Sequence, residues 1–138
     1  MRYLVVVLVG LAGLLVGCGG EAAAPQLSVN PGEDAPRISP ELYQSEVVQT
    51  DHILLDVRTD AEVAEGVIPG ARHIELSELA SRVDELPADQ TIVVYCRTGN
   101  RSRGAVNILT TAGRNNLLDL GGILQWQRAG YDLVPMGG

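Results

Sequence analysis

A cysteine followed closely by three arginines and a glycine, Cys96-Arg97-Thr98-Gly99-Asn100-Arg101-Ser102-Arg103, is the stretch whose residue types and spacing best suit chemistry. Cys96 closes the apolar run Thr91-Ile92-Val93-Val94-Tyr95, and a helix is expected from about Ser102 to Ala112, ending at Gly113. A thiol between a strand end and a helix start meets backbone N–H groups converging from the loop and the partial positive charge of the helix N-terminus. Gly99 brings a position without a Cβ where the loop must curl. Such surroundings, with Arg97 and Arg101 beside them, favour the thiolate of Cys96 and hold an oxyanion next to it. The chemistry implied is nucleophilic transfer on an anionic substrate. Arg103 falls inside the expected helix and reads as structural or steering. Taken alone, a cysteine at a strand end is more often a buried structural residue. The Arg-Thr-Gly-x-Arg run after it is what argues for a functional loop.

The elements that must position this loop are legible on either side of it. Ser39-Pro40 reads as a helix start, with serine as N-cap and proline first in the helix, and with Leu42, Val47 and Val48 as its inner face. Ile53 to Val57 reads as a buried strand. Thr59 and Glu62 have the spacing of a capping box, with Gly66 closing the short helix they open. Ile68 to Ala71 is a turn, Arg72 to Leu76 a second strand, and Ser77 the expected cap of a helix running to about Leu86. Leu117 to Leu120 is a fourth strand, Gly121-Gly122 a turn, and a last helix forms around Trp126, stopped by Gly130. Strands that are continuous apolar runs, alternating with helices, predict an α/β domain with a mainly parallel sheet and helices on both faces. Ligands in such domains bind at the carboxyl ends of strands, where Cys96 lies.

Composition narrows the function classes. The chain has 138 residues, net charge −7, and ten basic residues that are all arginine. An acidic protein of this kind lacks the basic face of a nucleic-acid binder. An apolar content of 46% excludes low-hydrophobicity disorder. Two cysteines are too few for a disulfide framework or a four-cysteine zinc site. No phosphate-binding glycine motif, metal cluster or cofactor signature appears in the sequence, and isolated His73 reads as packed or hydrogen-bonded in a strand.

Residues 1–17, MRYLVVVLVGLAGLLVG, place Arg2 before an apolar run from Tyr3 to Val16. The run is short for a membrane span, which needs about 20 apolar residues, and has the layout of a secretory signal. Leu15-Val16-Gly17-Cys18 resembles a bacterial lipobox with cleavage before Cys18. That resemblance implies a lipidated Cys18, a membrane anchor and an extracytoplasmic location. An uncleaved anchor helix is the alternative. Gly19, rather than Asp, after Cys18 resembles lipoproteins not retained at the inner membrane, a rule that applies only to cells with two membranes. Residues 18–36 then form a Gly/Ala/Pro/acid tether, and residues 37–138 the domain. With Cys18 acylated, Cys96 has no intramolecular disulfide partner.

Several pieces, in order, resemble the single-domain rhodanese (thiosulfate sulfurtransferase) family. They are Leu55-Asp56-Val57-Arg58, Glu62, Glu65-Gly66, Ile68-Pro69-Gly70-Ala71, His73-Ile74, Val93 through Ser102, and Gly121-Gly122 with Trp126. The similarity runs from about Ser39 to Gly130. It implies a rhodanese-like fold and a catalytic Cys96 that cycles through a persulfide. Thiosulfate or a similar small anionic donor would supply the sulfur, and cyanide or a thiol would accept it. Arg97, Thr98, Gly99, Asn100, Arg101 and Ser102 would hold the donor. Arg58 either borders the mouth of the site or pairs with Asp56 to fix the loops. Related phosphatases use Cys-x5-Arg, whereas Arg101 lies five positions after Cys96 and gives the shorter loop associated with sulfurtransferases. Val67 stands where the family often has histidine, a departure that changes local packing more than chemistry. A sulfur carrier or sensor with little turnover, and a thiol redox protein, are the competing classes. The intact loop weighs against an inactive module, and the lack of a resolving cysteine in the domain against an autonomous oxidoreductase. The domain is expected to be monomeric and to need neither metal nor cofactor.

Overall fold

The structure is a computed structural model and describes residues 35–137. The signal-like segment 1–17, Cys18 and most of the tether lie outside the described residues. Four parallel strands form the sheet: β1 (His52–Asp56), β2 (Ala71–His73), β3 (Thr91–Cys96) and β4 (Leu117–Gly122), in the order β2-β1-β3-β4. The central pair, β1 and β3, aligns Leu54 with Val93 and Asp56 with Tyr95. The helices are α1 (Pro40–Leu42, continued by a π-helical turn over Tyr43–Val47), α2 (Asp60–Ala64), α3 (Leu76–Arg82, followed by a 3-10 turn over Val83–Glu85), α4 (Asn100–Thr111) and α5 (Ile123–Arg128).

Continuous apolar strands follow from burial on both faces. Leu55, Ile92, Val94 and Cys96 pack with Leu79, Leu86, Ala105, Val106 and Leu109, on the side covered by α3 and α4. Leu54, Val93, Tyr95 and Leu118 face the other way, against Ile38, Tyr43, Val47, Ile123 and Trp126. Adjacent residues of one strand therefore feed different cores, so the run shows no alternation. Trp126 fills the second core beside Tyr43 and donates its indole N–H to the Asp132 carbonyl at 3.0 Å.

Local signals hold at several termini. Ser39 caps α1 through its Oγ, and Thr59 and Glu62 form both halves of the capping box on α2. Other boundaries differ. Leu42 and Val48 are exposed, and Tyr43 joins Val47 in the core, because the π-helical turn shifts the inward stripe by a residue. β2 ends at His73 rather than running to Leu76. α3 begins at Leu76 after Glu75, without a side-chain cap, so Ser77 lies within the helix. α4 begins at Asn100, which puts Arg101 and Ser102 in its first turn. Gly121 and Gly122 are strand residues, paired with Tyr95 and Cys96 beyond a bulge, rather than a turn. Ala35 and Pro36, expected in the tether, already belong to the fold: Ala35 packs on the first core, and the Pro36 carbonyl accepts from Asp119 N–H at 3.0 Å.

Candidate active site

Cys96 is the last residue of β3 and is fully buried, with Arg97, Thr98 and Gly99 turning the chain into α4. The Gly99 N–H donates to Cys96 Sγ at 3.1 Å. Gly99 carries a left-handed φ of 101°, a conformation that disfavours side chains, and a Cβ there would stand 2.6 Å from Arg37 Nη1. The Ser102 hydroxyl, itself buried, donates to the Gly99 carbonyl at 3.0 Å, and Arg37 Nη2 donates to the same oxygen at 3.1 Å. One carbonyl is thus tied from both the helix and the N-terminal segment, while the N–H of the same residue meets the sulfur.

Arg37 and Asp119 form a support that sequence reasoning missed. Arg37 donates from Nη2 and Nε to Asp119 Oδ2, at 2.6 and 3.1 Å. Asp119 Oδ1 accepts from Gly121 N–H at 2.8 Å. The segment around Arg37 lies parallel against β4, with Ile38 N–H donating to the Asp119 carbonyl. A charged residue inside the apolar run Leu117-Leu118-Asp119-Leu120 was the available signal, since a buried carboxylate needs a partner.

The arginines of the loop divide by environment. Arg97 and Arg103 are exposed, as are Thr98 and Asn100. Arg101 is paired with Glu62, Nη1 to Oε2 and Nη2 to Oε1, both at 2.7 Å. Arg97 Nη1 stands 3.9 Å from the same carboxylate. Glu62 Oε2 also accepts from Thr59 N–H and Oγ1, at 3.1 and 3.0 Å. Arg101 above all, and then the Thr59 donors against the opposing effect of burial, hold Glu62 at a pKa of about 2 rather than 4.5. The folded value is depressed, so the stabilisation by Glu62 is fully present above pH 4.5 and fades as pH falls toward 2. Urea midpoints measured across that window should fall more steeply for the wild type than for Glu62→Gln; parallel curves would remove Glu62 as a source of acid sensitivity.

Arg58 is buried, at 2% exposure. Its guanidinium is buried against Asp56, with Nη2 2.7 Å from Oδ2, and Nε bridges both carboxylate oxygens. Nη1 and Nη2 also donate to the Glu62 and Gly66 carbonyls, at 3.0 and 2.7 Å. The group lies 5.8 Å over the Tyr95 ring. Burial opposes its charge, the Asp56 carboxylate outweighs that, and the pKa moves up. Of the two sequence readings, pairing with Asp56 is the one the geometry realises, and the place of Arg58 at a donor is corrected accordingly: its donors already face acceptors that anchor α2. His73 Nε2–H donates to the Arg58 carbonyl at 2.7 Å, which gives it a hydrogen-bonding role in its strand. Val67 is buried and bridges Val134 in antiparallel fashion, a packing role at the position where the family often has histidine. Among the described residues, Cys96 is the free cysteine, and no group of three His, Cys, Asp or Glu is placed to hold a metal ion.

The four-stranded parallel sheet with its helices, and a buried thiol at the end of a central strand under a short loop that opens a helix, define the class: a parallel α/β domain. Within that class the rhodanese-like domain matches residues 39–129, and the chain belongs to this family. It is 41% identical over 85 residues to a sulfurtransferase of Allochromatium vinosum, covering 61% of this chain and 79% of that one. It is 38% identical over 74 residues to the putative sulfurtransferase YtwF of Bacillus subtilis, covering 54% and 72%. Among solved structures, a rhodanese-related protein from Thermoplasma volcanium superposes with a TM-score of 0.64 at 35% identity, covering 72% of this chain and 97% of that one.

Proposed function

We propose that the domain transfers sulfane sulfur through a persulfide on Cys96, taking it from thiosulfate or a similar donor and passing it to a thiol or cyanide. The observation that carries this reading is the Gly99 N–H directed at Cys96 Sγ in a loop that opens a twelve-residue helix. The Cys96 thiolate attacks the outer sulfur of thiosulfate. The donor S–S bond breaks, its electron pair leaves on sulfite, and the new S–S bond leaves the negative charge on the outer sulfur of Cys96. The N–H of Gly99 and its neighbours at the helix start stabilise that anion where it forms. The acceptor then takes the outer sulfur and returns Cys96 to thiolate. Intact-protein mass after exposure to thiosulfate should show the gain of one sulfur atom, with thiocyanate released on addition of cyanide. Cys96→Ser should abolish both. A folded, reduced wild type that gains no sulfur would overturn the thiosulfate assignment; gain without turnover would point to a carrier.

The N-terminal motif supports a second part of the proposal, that the mature protein is lipid-anchored through Cys18 on the extracytoplasmic side of a bacterial membrane. Incorporation of labelled palmitate, lost in Cys18→Ala, tests it; a soluble, unlabelled full-length chain would overturn it.

A further inference from the structure

Sequence reasoning places Arg97 and Arg101 against the incoming donor, yet the structure gives the fork of Arg101 to a carboxylate. Both terminal nitrogens lie 2.7 Å from Glu62, on a parallel bidentate geometry that is among the stronger charge-assisted pairings. Glu62 also stands 3.9 Å from Arg97, so one anion faces both cations of the loop. Its position is fixed independently of the loop, because Thr59 holds Oε2 from the backbone N–H and the hydroxyl, and Arg58 anchors the carbonyls of Glu62 and Gly66. Arg101 stands in the first turn of α4, the helix opened by the loop that starts at Cys96, and its pairing with Glu62 outweighs burial and raises its pKa.

We propose that Glu62 is a specificity-determining residue that sets the charge preference of the donor site: by holding Arg101 it lowers the positive potential over Cys96, so that singly charged sulfane-sulfur donors are favoured over doubly charged thiosulfate. The proposal rests on the Cys96 persulfide reading and refines its substrate class.

Two donors with the same reacting group separate charge from chemistry. Thiosulfate carries two negative charges and releases sulfite. An organic thiosulfonate, R–SO2–S⁻, carries one and releases a sulfinate. In both, the Cys96 thiolate forms a bond to the outer sulfur as the donor S–S bond breaks, and the electron pair departs on the leaving group. Glu62→Gln removes the negative charge and keeps an oxygen that can accept from the Thr59 N–H, so the capping box survives. Coulomb energy scales with donor charge, so the fold-change for a dianion is the square of that for a monoanion. The expected result is a rise in kcat/KM of about threefold with benzenethiosulfonate and about tenfold with thiosulfate, mainly through KM. Both gains should shrink at 1 M salt, where the screening length is about 3 Å. Arg101→Gln supplies the opposite sign: Glu62 then faces the donor unpaired, and thiosulfate should lose more than the thiosulfonate. If neither donor puts sulfur on wild-type Cys96, the persulfide reading fails and this inference with it. If Cys96 takes sulfur from both donors but their ratio is unchanged in both variants, Glu62 does not set the preference, and the inference alone is overturned.

Discussion

Replacing Gly122 by alanine is expected to remove at least 99% of sulfur transfer and to lower stability by about 2–4 kcal/mol. Gly122 pairs with Cys96 across β3 and β4. A Cβ built on it lies 2.6 Å from the Arg97 carbonyl oxygen, 2.8 Å from Thr98 Cα and 2.9 Å from Thr98 C. These are backbone atoms of the cysteine loop, which cannot swing aside as a side chain would. The added methyl must push the loop off β4 or part the strands. Either movement displaces the Gly99 N–H from the sulfur, and misplacement of about 1 Å near reacting groups can cost a hundredfold in rate. The φ of Gly122 is −117°, so alanine meets no intrinsic backbone strain there and the effect isolates the close approach. Gly104→Ala is the matched control. That residue lies inside α4, and its Cβ would meet only Leu76 Cδ2 at 3.8 Å. Alanine there should stabilise by about 0.5–1 kcal/mol through helix propensity and leave transfer unchanged. Urea unfolding with thiosulfate:cyanide turnover on the same preparations compares them. Wild-type activity in Gly122→Ala would mean that the loop does not need its contact with β4.

Arg58→Met should be the most destabilising single change among the charged residues described, at about 3–5 kcal/mol. It leaves Asp56, with no exposed surface, as a buried carboxylate deprived of three side-chain hydrogen bonds. It also frees the two carbonyls at the end of α2, the helix that carries Glu62 to Arg101. The double variant Asp56→Leu/Arg58→Met should recover much of the loss, because the penalty lies in the unpaired buried charge rather than in the missing pair. A double-mutant cycle by equilibrium unfolding reads this coupling directly. Unchanged stability with a raised KM for thiosulfate would overturn the structural role and return Arg58 to the donor site.

The Gly122 prediction depends on a contact between segments distant in sequence, which is where sequence reasoning and structure part, whereas Arg58 and Asp56 lie two residues apart and their pairing was already one of the sequence readings. Capping boxes and strand starts are local. Thr59 and Glu62 are three residues apart, and Ser39 caps a helix that begins one residue later, so their geometry is set by short-range hydrogen bonds that residue type alone reveals. The boundaries that moved did so because pairing elsewhere overrode local preference. Gly121 and Gly122 read as a turn from composition, but both pair with β3: Gly121 takes a left-handed φ of 82° beside Gln125 and Arg37, and Gly122 leaves room for the backbone of the cysteine loop. Leu42 and Val48 read as an inner face at helical spacing, but a π-helical turn brings Tyr43 inward, where its hydroxyl meets His52 Nε2 at 2.9 Å.

The same distinction applies to the site. By itself the amino-acid sequence determined the parallel α/β class, the place of Cys96 at a strand end and the short loop before a helix, since apolar runs, turn residues and a thiol at a strand end are all contiguous signals. Only the tertiary structure decided which charges remain free to meet a substrate. Glu62 reaches Arg101 across 39 residues, and Arg37 reaches Asp119 across 82. Charge pairing at such separations depends on how helices and strands stack, and residue type carries no record of it. A cation-rich loop in the sequence thus becomes, in the folded domain, a loop whose central arginine is already neutralised.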